Sequence, residues 1–191
     1  MADQLASTED LATWLQESLD RATAELVIQA ATAVVQAITG QRLLEVVDDV
    51  HATAGPLAST LRLPERPVTA VSAVAIDGVA LAVGTTSGAY RLTSQGLWRD
   101  LGWASTDGPT HVTVTYTHGW PLGSQQLELA RSAVLSLAKT AISNPSGAVS
   151  EKIDDYAVAY EKSASAMEAS PFLRSALRRQ YGPRAGLVSI F

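Results

Sequence analysis

Apolar positions along this chain change period four times, and the changes divide it into helical and β segments. Ser7 and Thr8 precede Glu9 and Asp10 and then Leu11, Trp14 and Leu15. This is an N-cap followed by acids in the first turn, where the helix dipole favours them, and it predicts a short helix over 8–18. Asp20 caps a second helix, predicted over 20–39. There Leu26, Val27, Ala30, Ala31, Val34, Val35 and Ile38 recur every three or four residues before Gly40 stops the run. The stripe is broad and expected to be buried, and its alanines allow close approach of another helix, from the same chain or from a neighbouring subunit.

From Gln41 to Thr117 helical periodicity gives way to short Val, Leu and Thr segments separated by Gly, Pro and Asp, the texture of strands joined by turns. Val68 to Ile76 is predicted as a strand with Ala70, Val74 and Ile76 on one face, turning at Asp77-Gly78. Tyr90-Arg91-Leu92 and Gly96-Leu97-Trp98 suggest a second hairpin. In the next strand Val112, Val114 and Tyr116 alternate with Thr113, Thr115 and Thr117, so one face is core and the other wet or paired. Pro121 introduces a third helix, predicted over 122–142, with Leu127, Ala130, Val134, Leu137, Ala138 and Ala141 on its face. Asn144-Pro145 ends it. Lys152 to Tyr160 alternates again as a strand or an extended arm. Ser163 to Ser170 is a small-residue hinge, and Ser170-Pro171 has the N-cap and N1 chemistry of a last helix closed by Gly182-Pro183. The fold class that follows is α+β: a small helical bundle with an inserted antiparallel β-region over 41–117. A core over 1–160 is followed by a C-terminal helix and tail over 161–191.

With 191 residues the chain can bury one real core. Its 47% hydrophobic and 17% charged content points to apolar surface that meets a partner, or simply to its many alanines. A net charge of −5 disfavours wrapping nucleic acid, which needs clustered Lys and Arg; it is compatible with a wall past which DNA slides, and equally with the many acidic proteins that never meet DNA. There are no cysteines, so disulfides and thiolate chemistry are excluded. The start MADQLASTEDL lacks the pattern of a secretory signal, and no apolar run is expected to reach the ~18 residues of a membrane span. A soluble protein assembled in the cytoplasm is the expectation.

No catalytic or metal constellation is legible, and no cofactor is implied. The three histidines, His51, His111 and His118, stand far apart, without partners at metal spacing. Asp48, Asp49 and His51 form the nearest approach to a cluster. Asp154 and Asp155 are adjacent and would face opposite ways in a strand. No serine sits in a nucleophile elbow and no glycine loop has phosphate spacing. The charge asymmetry at the end carries more weight. After Glu168 no acid remains, while Arg174, Arg178, Arg179 and Arg184 supply four of the fourteen basic residues. Arg174 and Arg178 share a helix face. These cations either complement the helix C-terminus or belong to a docking arm with Leu187, Val188, Ile190 and Phe191, an apolar tail able to fill a groove or extend a sheet.

The segments LRLPERPVTAVSAVAIDGVAL, YRLTSQGLWR, VTVTYTHGW and NPSGAVSEKIDDYAVAY, in this order between two N-terminal helices and a basic C-terminal one, resemble the head-to-tail adaptor proteins of long-tailed bacteriophages. The likeness is greatest to phages of actinobacteria. Asp154 departs from the pattern, standing where the family has glycine. The resemblance implies a structural protein of the virion neck, not an enzyme. It implies a homo-oligomeric ring, commonly of twelve copies, beneath the portal protein, extending the DNA channel and receiving a stopper or tail-terminator protein. DNA would pass without specific binding, and no membrane is involved. On this reading Arg174, Arg178, Arg179, Tyr181, Arg184, Leu187, Val188, Ile190 and Phe191 grip the portal or a neighbouring subunit. Leu26, Ala30, Val34, Leu127, Ala130 and Val134 pack subunits together, and the loops around Ser94 and Asp107 face the tail side or the ring exterior. Rival readings are another neck or tail completion protein, or a small hydrolase using Asp48, Asp49, His51 or His118.

Overall fold

A computed structural model describes residues 4–105, 108, 110–143, 150–153, 156–159 and 169–182, with the backbone alone for 150–153 and 156–159. The fold is α+β and forms two compact units, one from Met1–Gln41 with Leu122–Phe191 and one from Arg42–Pro121.

The first unit is helical. In α1, Thr8–Leu15, the capping box is complete: Ser7 Oγ accepts from the Asp10 amide at 3.0 Å and the Asp10 carboxylate accepts from the Ser7 amide at 3.0 Å. The helix stops three residues before its expected end, because Gln16 turns left-handed at φ 58°. α2, Arg21–Thr39, has the expected cap, with Asp20 accepting from the Thr23 amide at 2.9 Å, and closes at Gly40 with φ 69°. A 3-10 turn, Gln125–Leu127, leads into α3, Glu128–Ser143, and Ser170 caps α4, Pro171–Tyr181. α2 packs against α1, α3 and α4 through Ala24, Ile28, Ala31 and Val35. The expectation about membrane-length runs needs correcting: α2 is long and apolar enough to cross a membrane by length and composition. Glu25, Gln29 and Gln36 interrupt it, and its packing is that of a bundle helix. Between α3 and α4 the strands β8, Ser150–Ile153, and β9, Tyr156–Ala159, form a two-stranded antiparallel hairpin.

The second unit holds two antiparallel sheets. Strands β1, Val46–Ala54, β3, Val68–Ile76, β4, Val79–Ala80, and β7, His111–His118, make a sheet of order β1-β7-β3-β4. Strands β2, Thr60–Leu61, β5, Tyr90–Thr93, and β6, Gly96–Arg99, make the other, ordered β2-β6-β5. The predicted hairpins are β3–β4 and β5–β6. One core joins Leu61, Leu63, Val74, Tyr90, Leu97, Trp103, Val112, Val114 and Tyr116. Trp103 anchors it, donating from Nε1 to the Ser59 carbonyl at 3.0 Å while its own carbonyl accepts from Thr110 Oγ1 at 2.7 Å.

Strand β3 corrects the sequence reading. Ala70 lies outside, and Val68, Val71 and Val74 face the core at intervals of three, because the pairing with β7 shifts register between Val68 and Ala70 and again between Val71 and Ala73. Each shift adds a residue to one strand and breaks strict alternation. The glycine of THGW has a steric reason. At Gly119, φ 85°, a Cβ would lie 2.3 Å from the Leu44 carbonyl oxygen, at the point where Trp120 and Glu45 amides bond across.

Candidate interaction surfaces

α2 presents two faces of different chemistry. Ile28, Ala31 and Val35 are buried, whereas Leu26 is 67% exposed and Ala30, Ala33 and Ala37 lie outside with it, Val34 at their margin half-buried. Along α2 six residues are buried and five more half-buried, the rest facing out. The outward stripe is therefore apolar, small and flat, suited to another helix or sheet. Of the six residues expected to pack subunits, Leu26, Ala30 and Val34 reach this surface. Leu127, Ala130 and Val134 do not, since all three are buried in the chain's own helical core, where α3 meets α1, α2 and α4.

α4 carries the basic cluster. Arg179 is exposed and Arg174 half-buried. Arg178 reaches back to α2, its Nε donating to the Ile38 carbonyl at 3.4 Å, so it complements the C-terminus of that helix. Tyr181 is buried and structural: its hydroxyl donates to the Gln126 carbonyl at 2.5 Å and its carbonyl accepts from Gln41 Nε2 at 2.7 Å. Burial pushes its phenol pKa up. Phe172, at the start of α4, is 84% exposed. Arg184, Leu187, Val188, Ile190 and Phe191 lie outside the described residues, as do Asp107, Asp154 and Asp155.

Sequence reading missed a groove between α1 and α3, about 400 Å³, lined by Asp10, Thr13, Trp14, Glu128, Arg131 and Leu135. Arg131 Nη2 holds Asp10 at 2.6 Å and Glu128 at 3.4 Å through Nη1. Burial raises the Asp10 pKa, but the hydrogen bonds from Arg131 and the Ser7 amide outweigh it and leave the carboxyl below its usual value.

It also missed a polar knot in the β unit. Asp49, on β1, accepts from His118 Nε2 at 3.1 Å and pairs with the Arg42 guanidinium. Glu65 accepts from the Arg42 amide at 2.9 Å. His118 is fully buried and stacks at 5.2 Å from Tyr116. Burial pushes Asp49 up, yet the His118 hydrogen bond and the Arg42 charge together bring its pKa below the usual carboxylate range. Of the residues considered for hydrolysis, the fold unites only Asp49 and His118. Asp48 bonds Ser72 instead, and His51 sits further along β1, opposite Val114. An ionised acid clamped by arginine beside a fully buried imidazole is a structural ion pair. Among the described residues no cluster of three or more His, Asp or Glu could hold a metal.

No family model and no curated protein sequence matches the chain. Solved structures do match its fold. A chain from the neck of a native GTA particle computed with C12 symmetry aligns with a TM-score of 0.51 and 18% identity, over 91% of this chain and 88% of that one. A chain from the neck of an empty GTA particle computed with C6 symmetry aligns at 0.50 and 18%, over 93% and 89%. At such identity the likeness is one of fold, and it extends through both units.

Proposed function

We propose that this chain is a structural component of a phage-like neck: a head-to-tail adaptor whose copies form a ring beneath the portal, extend the DNA channel and join the filled capsid to a stopper or tail terminator. The observation that carries the reading is the fold shared with chains of symmetric particle necks over nine tenths of the length. The outward stripe of α2, Leu26, Ala30 and Val34, supplies a subunit-packing face. Arg174 and Arg179 of α4, together with the sequence from Arg184 to Phe191, form the arm that grips the portal, while Arg178 is engaged on α2. Twelve copies accord with the C12 symmetry of the native GTA neck whose chain shares this fold, and the acidic composition lets DNA pass without adhering.

The test is to add the purified protein to DNA-filled heads that carry portal but lack a neck. Co-sedimentation with heads is expected, and loss of it on deleting Gly186 to Phe191. Binding to tails in place of heads would make the chain a tail completion protein, and binding by the truncated protein would remove the portal-gripping role of the arm.

A further inference from the structure

The two free edges of the β1 sheet are built differently. On the β3 side, pairing is limited to the two-residue β4, and the rest of β3 carries both register shifts, which twist an edge away from templated pairing. On the other side lies β1, nine residues long. Its only irregularity is near the start, between Val46 and Asp49, where Asp48 has φ 53°. From Asp49 to Ala54 it runs in unbroken register with β7, from Asp49 opposite Tyr116 to Ala54 opposite His111. This stretch has no lysine or proline, and Val50 is 62% exposed. Among the described residues no strand pairs with its outer edge. Proteins blunt such edges, or use them.

The described residues hold a second β element without a place in a larger sheet. The hairpin β8–β9 pairs with itself, and among the described residues it joins neither larger sheet. Two strands of four residues are marginal alone in water and gain stability by adding to a sheet. One copy thus offers a regular receptor edge and a donor hairpin, which are different surfaces. Pairing unlike surfaces is heterologous, the kind of contact that closes into rings, whereas two β1 edges pairing with each other would give only a two-fold dimer.

We infer that the outer edge of β1, over Asp49–Ala54, receives the β8–β9 hairpin of the next copy, extending the sheet across the subunit boundary. The inference rests on the ring reading and names a contact within it. Main-chain hydrogen bonds would hold the hairpin, and exposed Val50 would supply cross-strand packing.

Hydrogen exchange on the full chain, dispersed and assembled on portal, tests it directly. The β1 amides that point away from β7 should be slowed only in the assembled state. Because the chain has no cysteine, pairs can be placed cleanly: Val50→Cys combined with Glu151→Cys or with Val158→Cys, joined by a short bis-maleimide. One of the two combinations should give a ladder of covalent oligomers. Mixing the corresponding single variants should give cross-linked dimers. Val50→Lys should weaken assembly by about tenfold, as losing the burial of one exposed valine side chain would, while leaving urea unfolding unchanged. A ring that forms with β1 exchange unaltered and no ladder overturns the inference and spares the ring. Cross-links confined to single chains overturn it too, in favour of a hairpin that closes its own sheet. Failure to form any ring on portal overturns both.

Discussion

α2 and β7 each run through the middle of their unit, but only β7 is enclosed. It is paired along both edges, by β1 and β3, and its core face of Val112, Val114 and Tyr116 has no exposure. α2 is covered on the side of Ala24, Ile28, Ala31 and Val35 and bare along Leu26, Ala30, Ala33 and Ala37. A strand satisfied on both edges and on its apolar face has nothing left to offer a partner. A helix with an apolar rear face does, and so does the outer strand β1. The enclosed core of each unit therefore sets stability, whereas the bare faces of α2 and β1 are free to set assembly.

Substitutions that separate stability from assembly would break or sharpen this contrast. Tyr116→Ala should be the most damaging, costing about 3–5 kcal/mol in urea unfolding, since a fully buried aromatic leaves a cavity among well-packed neighbours. Ile28→Ala, on the covered side of α2, should cost about 2–5 kcal/mol by the same measurement. Asp49→Ala should cost about 1–3 kcal/mol, because it removes the acceptor of the buried His118 nitrogen and leaves Arg42 its longer pairing with Glu65 at 3.7 Å.

The Asp49 effect should depend on pH with a defined sign. The folded-state pKa lies below the ordinary value of 3.8, so the unfolded chain takes up this proton first as pH falls. The stability gap between parent and Asp49→Ala should be full above about pH 5 and close as pH drops below the ordinary carboxylate value. A gap that widened in acid would contradict the assigned pairing. The smallest effect on stability belongs to Leu26→Lys, within about 0.5 kcal/mol of the parent, because the side chain already faces out. Its effect on oligomer mass should be large. A variant that assembles normally would show that this stripe is not a subunit face.

Local chemistry made much of the fold legible. Ser7, Asp20 and Ser170 act as caps because each places an oxygen before a run of unpaired amides, and Asp77-Gly78 turns where it should. The inward face of β7 followed from plain alternation. The faces of α2 did not, because alanines give little contrast: Leu26 and Ala30 read as one stripe with Ala31, Val34 and Val35, and only the placement of α3 and α4 decides which side is covered. β3 misled through its two register shifts, which depend on pairing with β7. The knot of Arg42, Glu65, Asp49 and His118 was invisible because its members are separated by up to 76 positions and meet only when β1 and β7 pair. For the surfaces, the apolar character of Leu26, Ala30 and Val34 was legible, but not which side of α2 stays bare. The burial of Leu127, Ala130 and Val134 was not, since an apolar helix face looks the same whether a neighbouring helix or a neighbouring subunit covers it.

The central claim is that copies of this chain form a closed ring at the portal vertex. Cryo-electron microscopy of portal-bearing heads incubated with the purified protein tests it most directly. A single annulus of twelve copies bound beneath the portal is the expected density. A bare vertex, or isolated copies without ring symmetry, would contradict the account.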